Sequence, residues 1–103
     1  MRRVIEKRVY DTDTALMIAE DWNGLGDNDF RSLNEELYKT KKGNYFIYGS
    51  GGPLTKYGKS RGNQIDGSSK IILMSEQEAY KWLEEKGETE AIEEFFPNKF
   101  EEA

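Results

Sequence analysis

Glu35-Glu36-Leu37-Tyr38-Lys39-Thr40-Lys41-Lys42-Gly43-Asn44-Tyr45-Phe46-Ile47-Tyr48 is the stretch that decides the fold. Its two outer runs flank Lys41-Lys42-Gly43-Asn44, a turn in which Gly and Asn suit positive φ. This predicts an antiparallel hairpin over about 35–48. An isolated hairpin is marginal in water, so further strands must join it. Ile71-Ile72-Leu73-Met74 is one candidate. Thr14 to Trp22 is the other, and its pattern is ambiguous. Ala15, Ile18, Ala19 and Trp22 make a helical stripe, yet the sheet's need for a partner favours a strand.

Directly after Met74, Ser75-Glu76-Gln77-Glu78 forms a capping box. Ala79, Tyr80, Trp82 and Leu83 continue it as an apolar stripe, and Gly87 supplies a left-handed stop, so a helix is expected over about 76–86. A second helix is expected with Thr89 as its cap, Ala91, Ile92, Phe95 and Phe96 on one face, and Pro97 as its end. Trp22, Trp82, Phe95 and Phe96 are assigned to the core. Between the first strand and the hairpin, Asn23 to Asn28 reads as a turn. Asp29 could cap a short helical turn carrying Phe30 and Leu33. The fold class is α+β: a small antiparallel sheet packed against two C-terminal helices.

With 103 residues the chain is expected to be one domain, 1–103, and 13% aromatic content argues for a folded chain rather than an acidic disordered one. Residues 49–69 read as a long Gly-rich loop, well beyond the usual connection of about 4–6 residues. The basic start, Arg2 to Arg8, has no apolar stretch behind it, and the longest apolar run is Ala15 to Ala19, which fits neither a secretory signal nor a membrane span. A cytoplasmic protein is expected.

The absence of Cys and His excludes disulfides, the usual zinc sites and every Cys-His or Ser-His arrangement. Other motifs fail on spacing. Gly49-Ser50-Gly51-Gly52-Pro53-Leu54 has Leu54 where a dinucleotide fingerprint needs its third glycine. Gly58-Lys59-Ser60 resembles the end of a phosphate loop, but Pro53 occupies the place of its first glycine. Asp11-Thr12-Asp13 and Asp27-Asn28-Asp29 lack the later Gly and Glu of a calcium loop. No enzyme, no metal and no cofactor is expected.

Charge is unevenly distributed. The net of −5 divides into −4 over residues 1–38, +6 over 39–70 and −7 over 71–103. The acidic third offers Glu76, Glu84, Glu85, Glu93 and Glu94 as a partner-binding face. The basic middle offers Lys41, Lys42, Lys56, Lys59 and Arg61, with Tyr45, Tyr48 and Tyr57 among them.

Tyr10-Asp11-Thr12-Asp13-Thr14-Ala15, Asp29-Phe30-Arg31, Glu36-Leu37-Tyr38-Lys39-Thr40-Lys41-Lys42-Gly43 and Gly51-Gly52-Pro53-Leu54 together resemble a widespread group of small uncharacterised proteins of bacteria, phages and mobile genetic elements. The similarity runs on through Tyr57, Gly62-Asn63, Ile71-Ile72 and the helix from Glu78 to Trp82. That pattern often has Glu where Ser50 stands here. The resemblance implies a mobile-element setting and carries over no catalytic residue. Small acidic proteins of such elements commonly act by occlusion, as anti-CRISPR and anti-restriction inhibitors do. The expected function is therefore a non-enzymatic protein that occludes or modulates a host protein, such as a nucleic-acid-processing complex, through its acidic helices. The alternative is a nucleic-acid-contacting module using the basic 39–70 region.

Overall fold

The computed structural model describes residues 1–103. In chain order its elements are β1 (Arg2–Ile5), β2 (Arg8–Asp11), β3 (Leu16–Trp22), β4 (Leu33–Lys39), β5 (Tyr45–Gly51), β6 (Lys59–Arg61), β7 (Gln64–Asp66), β8 (Ser68–Met74), α1 (Glu76–Glu85) and α2 (Thr89–Phe95). The fold is α+β. Its centre is a four-stranded antiparallel sheet in the order β3-β4-β5-β8.

The expected hairpin is β4–β5, paired from Lys39↔Tyr45 out to Leu33↔Gly51. Gly43 takes the positive φ of the turn, +88°, while Asn44 does not and instead closes the loop, its amide donating to Thr40 Oγ1 at 3.0 Å. Both sequence candidates serve as flanking strands. Thr14–Trp22 resolves as a strand from Leu16, and the other extends back to Ser68. β3 carries a bulge between Met17 and Ala19, where its register against β4 shifts.

Alternation puts Leu37 and Ile47 on a front face and Tyr38 and Phe46 on a back face, all of them buried. The helices cover the front. Leu37, Tyr45 and Ile47 pack there with Ala79, Trp82, Leu83 and Phe96. The capping box forms as expected: Glu78 N donates to Ser75 Oγ at 3.0 Å, and Ser75 N to Glu78 Oε1 at 2.8 Å. Gly87 (φ +69°) closes α1, with its own N–H reaching Glu84 O and that of Glu88 reaching Leu83 O. That closure places Glu88, rather than Thr89, at the N-cap of α2, and no side chain caps it.

Hairpin β1–β2, which carries no local signal of its own, covers part of the back. Its Tyr10 ring meets Phe46 edge-on at 5.5 Å, and Phe46 stacks on Tyr38 at 5.2 Å. Its turn places two non-glycine residues, Glu6 (φ 52°) and Lys7 (φ 66°), in the left-handed region. The other end of the back face stays open.

Segment 49–69 is not one loop. It contains the end of β5, a tight turn over 52–58, the β6–β7 hairpin and the start of β8. Its glycines serve close approach. A Cβ on Gly49 would lie 1.8 Å from Tyr57 Oη, and one on Gly52 would lie 2.5 Å from Phe30 O. Asp29 starts a single turn rather than a helix: its Oδ1 accepts the Arg31 N–H at 2.8 Å and its carbonyl the Ser32 N–H at 3.1 Å, so the turn carries Phe30, while Leu33 already belongs to β4.

Gly49→Ala must displace the buried Tyr57 ring and is expected to cost about 2–3 kcal/mol, on the order of 10–20 °C in Tm. Gly26→Ala meets nothing within 4 Å and should stay within about 0.5 kcal/mol of the native chain. Thermal melts of the two variants side by side check both.

Candidate functional site

The candidate residues fall into separate surfaces. Glu76, Glu84, Glu85, Glu93 and Glu94 are all exposed on the helical layer. Glu76 pairs with Lys99 at 3.2 Å, and the other four enter no ion pair. Phe96 stacks on Tyr45 and meets Tyr80 edge-on, so the end of α2 lies beside the start of α1. Glu93 and Glu94 therefore lie towards Glu76, while Glu84 and Glu85 sit at the far end of α1. The carboxylates line the layer from end to end rather than forming one cluster.

The basic residues divide between opposite ends of the sheet. Lys41 and Lys42, in the β4–β5 turn, meet Lys7 of the β1–β2 turn and Arg8 at the start of β2 around a cavity of about 660 Å³. Arg8 reaches Asn44 Oδ1 at 3.4 Å, and none of these four cations has a carboxylate partner. Lys7 and Arg8 were invisible as site residues because they lie more than thirty positions from Lys41. At the other end, Lys59 is exposed on β6 and Arg61 pairs with Asp66 across the small hairpin at 3.6 Å. The basic 39–70 region is thus not one patch.

Lys56 has a structural task. Its Nζ lies 2.6 Å from Glu35 Oε2, and Tyr57 Oη donates to the same oxygen at 2.5 Å. Glu35 is the one buried charged residue, 2% exposed, because front-face alternation points it beneath Trp82 and Tyr57. Burial pushes its carboxyl up, but the Lys56 ammonium, the Tyr57 hydroxyl and the nearby Trp82 indole outweigh this and hold it below the usual range. Trp82 Nε1 itself is buried without reaching hydrogen-bond geometry. In return, burial and the Glu35 carboxylate push the Tyr57 phenol up, so it stays a donor.

The open end of the back face is a cavity of about 770 Å³. Trp22 and Phe30 stand at it 59% and 64% exposed, which corrects the assignment of Trp22 to the core. Even-numbered alternation along β3 aims Trp22 away from the helices, beside Asn34 of β4. Its Nε1 donates to Leu25 O at 2.9 Å, fixing the ring. Trp82 and Phe96 are core residues, as expected.

No group of three His, Cys, Asp or Glu side chains is arranged to hold a metal ion, and no helix is long and apolar enough to cross a membrane. No protein-family model, curated protein or solved structure matches the chain.

Because its folded-state pKa is depressed, Glu35 contributes stability that is complete above the unfolded carboxylate value, near 4.5, and is lost as pH falls through the folded value. Glu35→Gln leaves Lys56 unpaired and should cost about 2–3 kcal/mol at neutral pH, reduced from a fully buried pair because Lys56 is half-exposed. Urea titrations of both proteins from neutral pH to below 4.5 should show the native chain losing its advantage on acidification.

Proposed function

We propose that this chain is a small, non-enzymatic cytoplasmic protein of a mobile element that binds a host protein and occludes or modulates it, in the manner of an anti-CRISPR or anti-restriction inhibitor. One observation carries the reading: Glu84, Glu85, Glu90, Glu93 and Glu94 stand exposed on two helices and none has an internal cation partner. Such a face suits the basic groove of a nucleic-acid-processing protein. Complementary charge would raise the association rate and make it salt-dependent.

The acidic face suits binding, since its carboxylates are exposed to solvent. The alternative is contact with nucleic acid, and the four unpaired cations around the Lys7–Lys42 cavity favour it. They would hold phosphate oxygens where the β1–β2 hairpin meets the β4–β5 turn, on the side of the sheet opposite the helices.

Tagged native chain should retain a nucleic-acid-handling protein from host lysate at low salt and release it as salt rises. The combined variant Glu84→Gln, Glu85→Gln, Glu93→Gln, Glu94→Gln should lose most of that retention, about tenfold or more in affinity. Capture indifferent to both salt and the variant would sink the reading. A low-salt gel shift abolished by Lys41→Glu with Lys42→Glu would support the nucleic-acid alternative instead.

A further inference from the structure

Two pairs of like charges oppose each other across β3 and β4: Asp21 faces Glu35 on the front of the sheet, and Glu20 faces Glu36 on the back. Directly opposed like charges destabilise a sheet. On the front, each carboxylate has its own cation. Lys86 Nζ lies 3.2 Å from Asp21, and Lys56 Nζ lies 2.6 Å from Glu35. On the back, no Lys or Arg comes within ion-pair distance of either residue. Glu36 accepts the Tyr38 hydroxyl at 2.9 Å, a neutral donor that leaves the charge in place.

This uncompensated pair adjoins the back-face cavity. Glu20 lines it together with Asp27 and Asp29, and no cationic side chain does. The remaining chemistry is aromatic and polar. Trp22, with its indole N–H already engaged by Leu25 O, offers a ring face and no donor. Phe30 and Tyr48 line the same space. So does Asn34, whose Oδ1 is buried with no hydrogen-bond partner.

The walls are preformed. Gly52 N donates to Ser32 O at 2.9 Å, Leu54 N to Phe30 O at 2.9 Å, and Asn23 Nδ2 to Arg31 O at 2.7 Å. Gly52 and Gly67 bring their backbones so close that a Cβ would come within 2.5 Å of Phe30 O and Gly51 O. A site held this way loses little entropy when filled.

We propose that this cavity binds a guanidinium group on an aliphatic stem, as an arginine presents it. The planar cation supplies the charge that Glu20, Asp27 and Asp29 lack, donates several N–H groups, and stacks on the fixed Trp22 ring. An ammonium would meet the carboxylates as a point charge but make poorer use of the ring. A neutral sugar would stack on the ring and leave the carboxylates unpaired. The cavity lies on the face opposite the helices, so the assignment stands apart from the helical-face reading.

The chain has two tryptophans, and their indole N–H resonances separate the cavity from the core. Trp22 reports the cavity, and buried Trp82 reports the fold. N-acetyl-arginine methylamide should shift the Trp22 signal and leave that of Trp82 in place. The citrulline derivative, with the same shape but no charge, should bind about fivefold more weakly or less, and Glu20→Gln and Asp27→Asn should each weaken arginine binding about threefold. A short Gly-Arg-Gly peptide that binds more tightly than the blocked amino acid assigns the arginine to a polypeptide, and equal binding assigns it to a free ligand. Equal shifts from arginine and citrulline, a response to N-acetylglucosamine alone, no Trp22 shift at all, or unaltered binding in both variants with Trp82 unmoved would each overturn the proposal.

Discussion

A single carboxylate sets the shape of the front of the molecule. Leu37 and Ile47 are sealed by α1, and Glu35, two residues before Leu37 on the same face, is buried with them beneath Trp82. A carboxylate buried there alone would be strongly unfavourable. The chain answers with Lys56 and Tyr57 from a distant segment. Seating that ring requires bare backbone at Gly49, and the return of the chain from Tyr57 requires the close contacts of Gly58 and Gly67. Ser68 completes the seat, its hydroxyl donating to Tyr57 O at 2.5 Å just as β8 begins. The path from β5 to β8 is thus dictated by one charge that must not be left alone.

The parts legible in the sequence are those governed by near neighbours. The Gly43 turn, the Ser75–Glu78 capping box and the Gly87 stop depend on residues within a few positions of each other. Their structural forms match the reading closely. Thr14 to Trp22 needed one non-local premise, that the hairpin must have a partner, and this sufficed. What stayed hidden depends on meetings across the chain. Gly49 and Gly52 signalled freedom by composition, whereas their role is to leave room for Tyr57 and for the Phe30 carbonyl. Glu35 looked like any polar residue of a hairpin. β1 is mostly exposed and turns through Glu6 and Lys7, residues that carry no turn signal, so nothing local marked it.

Charge shows the same limit. By segment, the middle of the chain is basic and its end acidic, yet folding sends Lys41 and Lys42 to one end of the sheet and Lys56, Lys59 and Arg61 to the other. One of these cations is consumed internally and another is paired with Asp66. The unpaired basic group that survives recruits Lys7 and Arg8 from a segment with a net negative charge. The exposed Trp22 reflects a similar hidden choice. Its helical spacing with Ala15, Ile18 and Ala19 suggested burial, but in a strand its parity is opposite to that of Ala19, which sends it to the uncovered face.

The bulge in β3 has a bearing on how the molecule behaves among its own copies. β3 is an outer strand of the sheet and exposes Leu16 and Met17. A flat, apolar border of this kind invites a neighbouring chain to add a strand and so start a filament. The irregularity between Met17 and Ala19 breaks the even ladder a newcomer would need, and Glu20 and Asp21 follow immediately to repel an identical strand. The protein therefore leaves half of one sheet face uncovered while its β3 border is kept from serving as a seed for polymerisation.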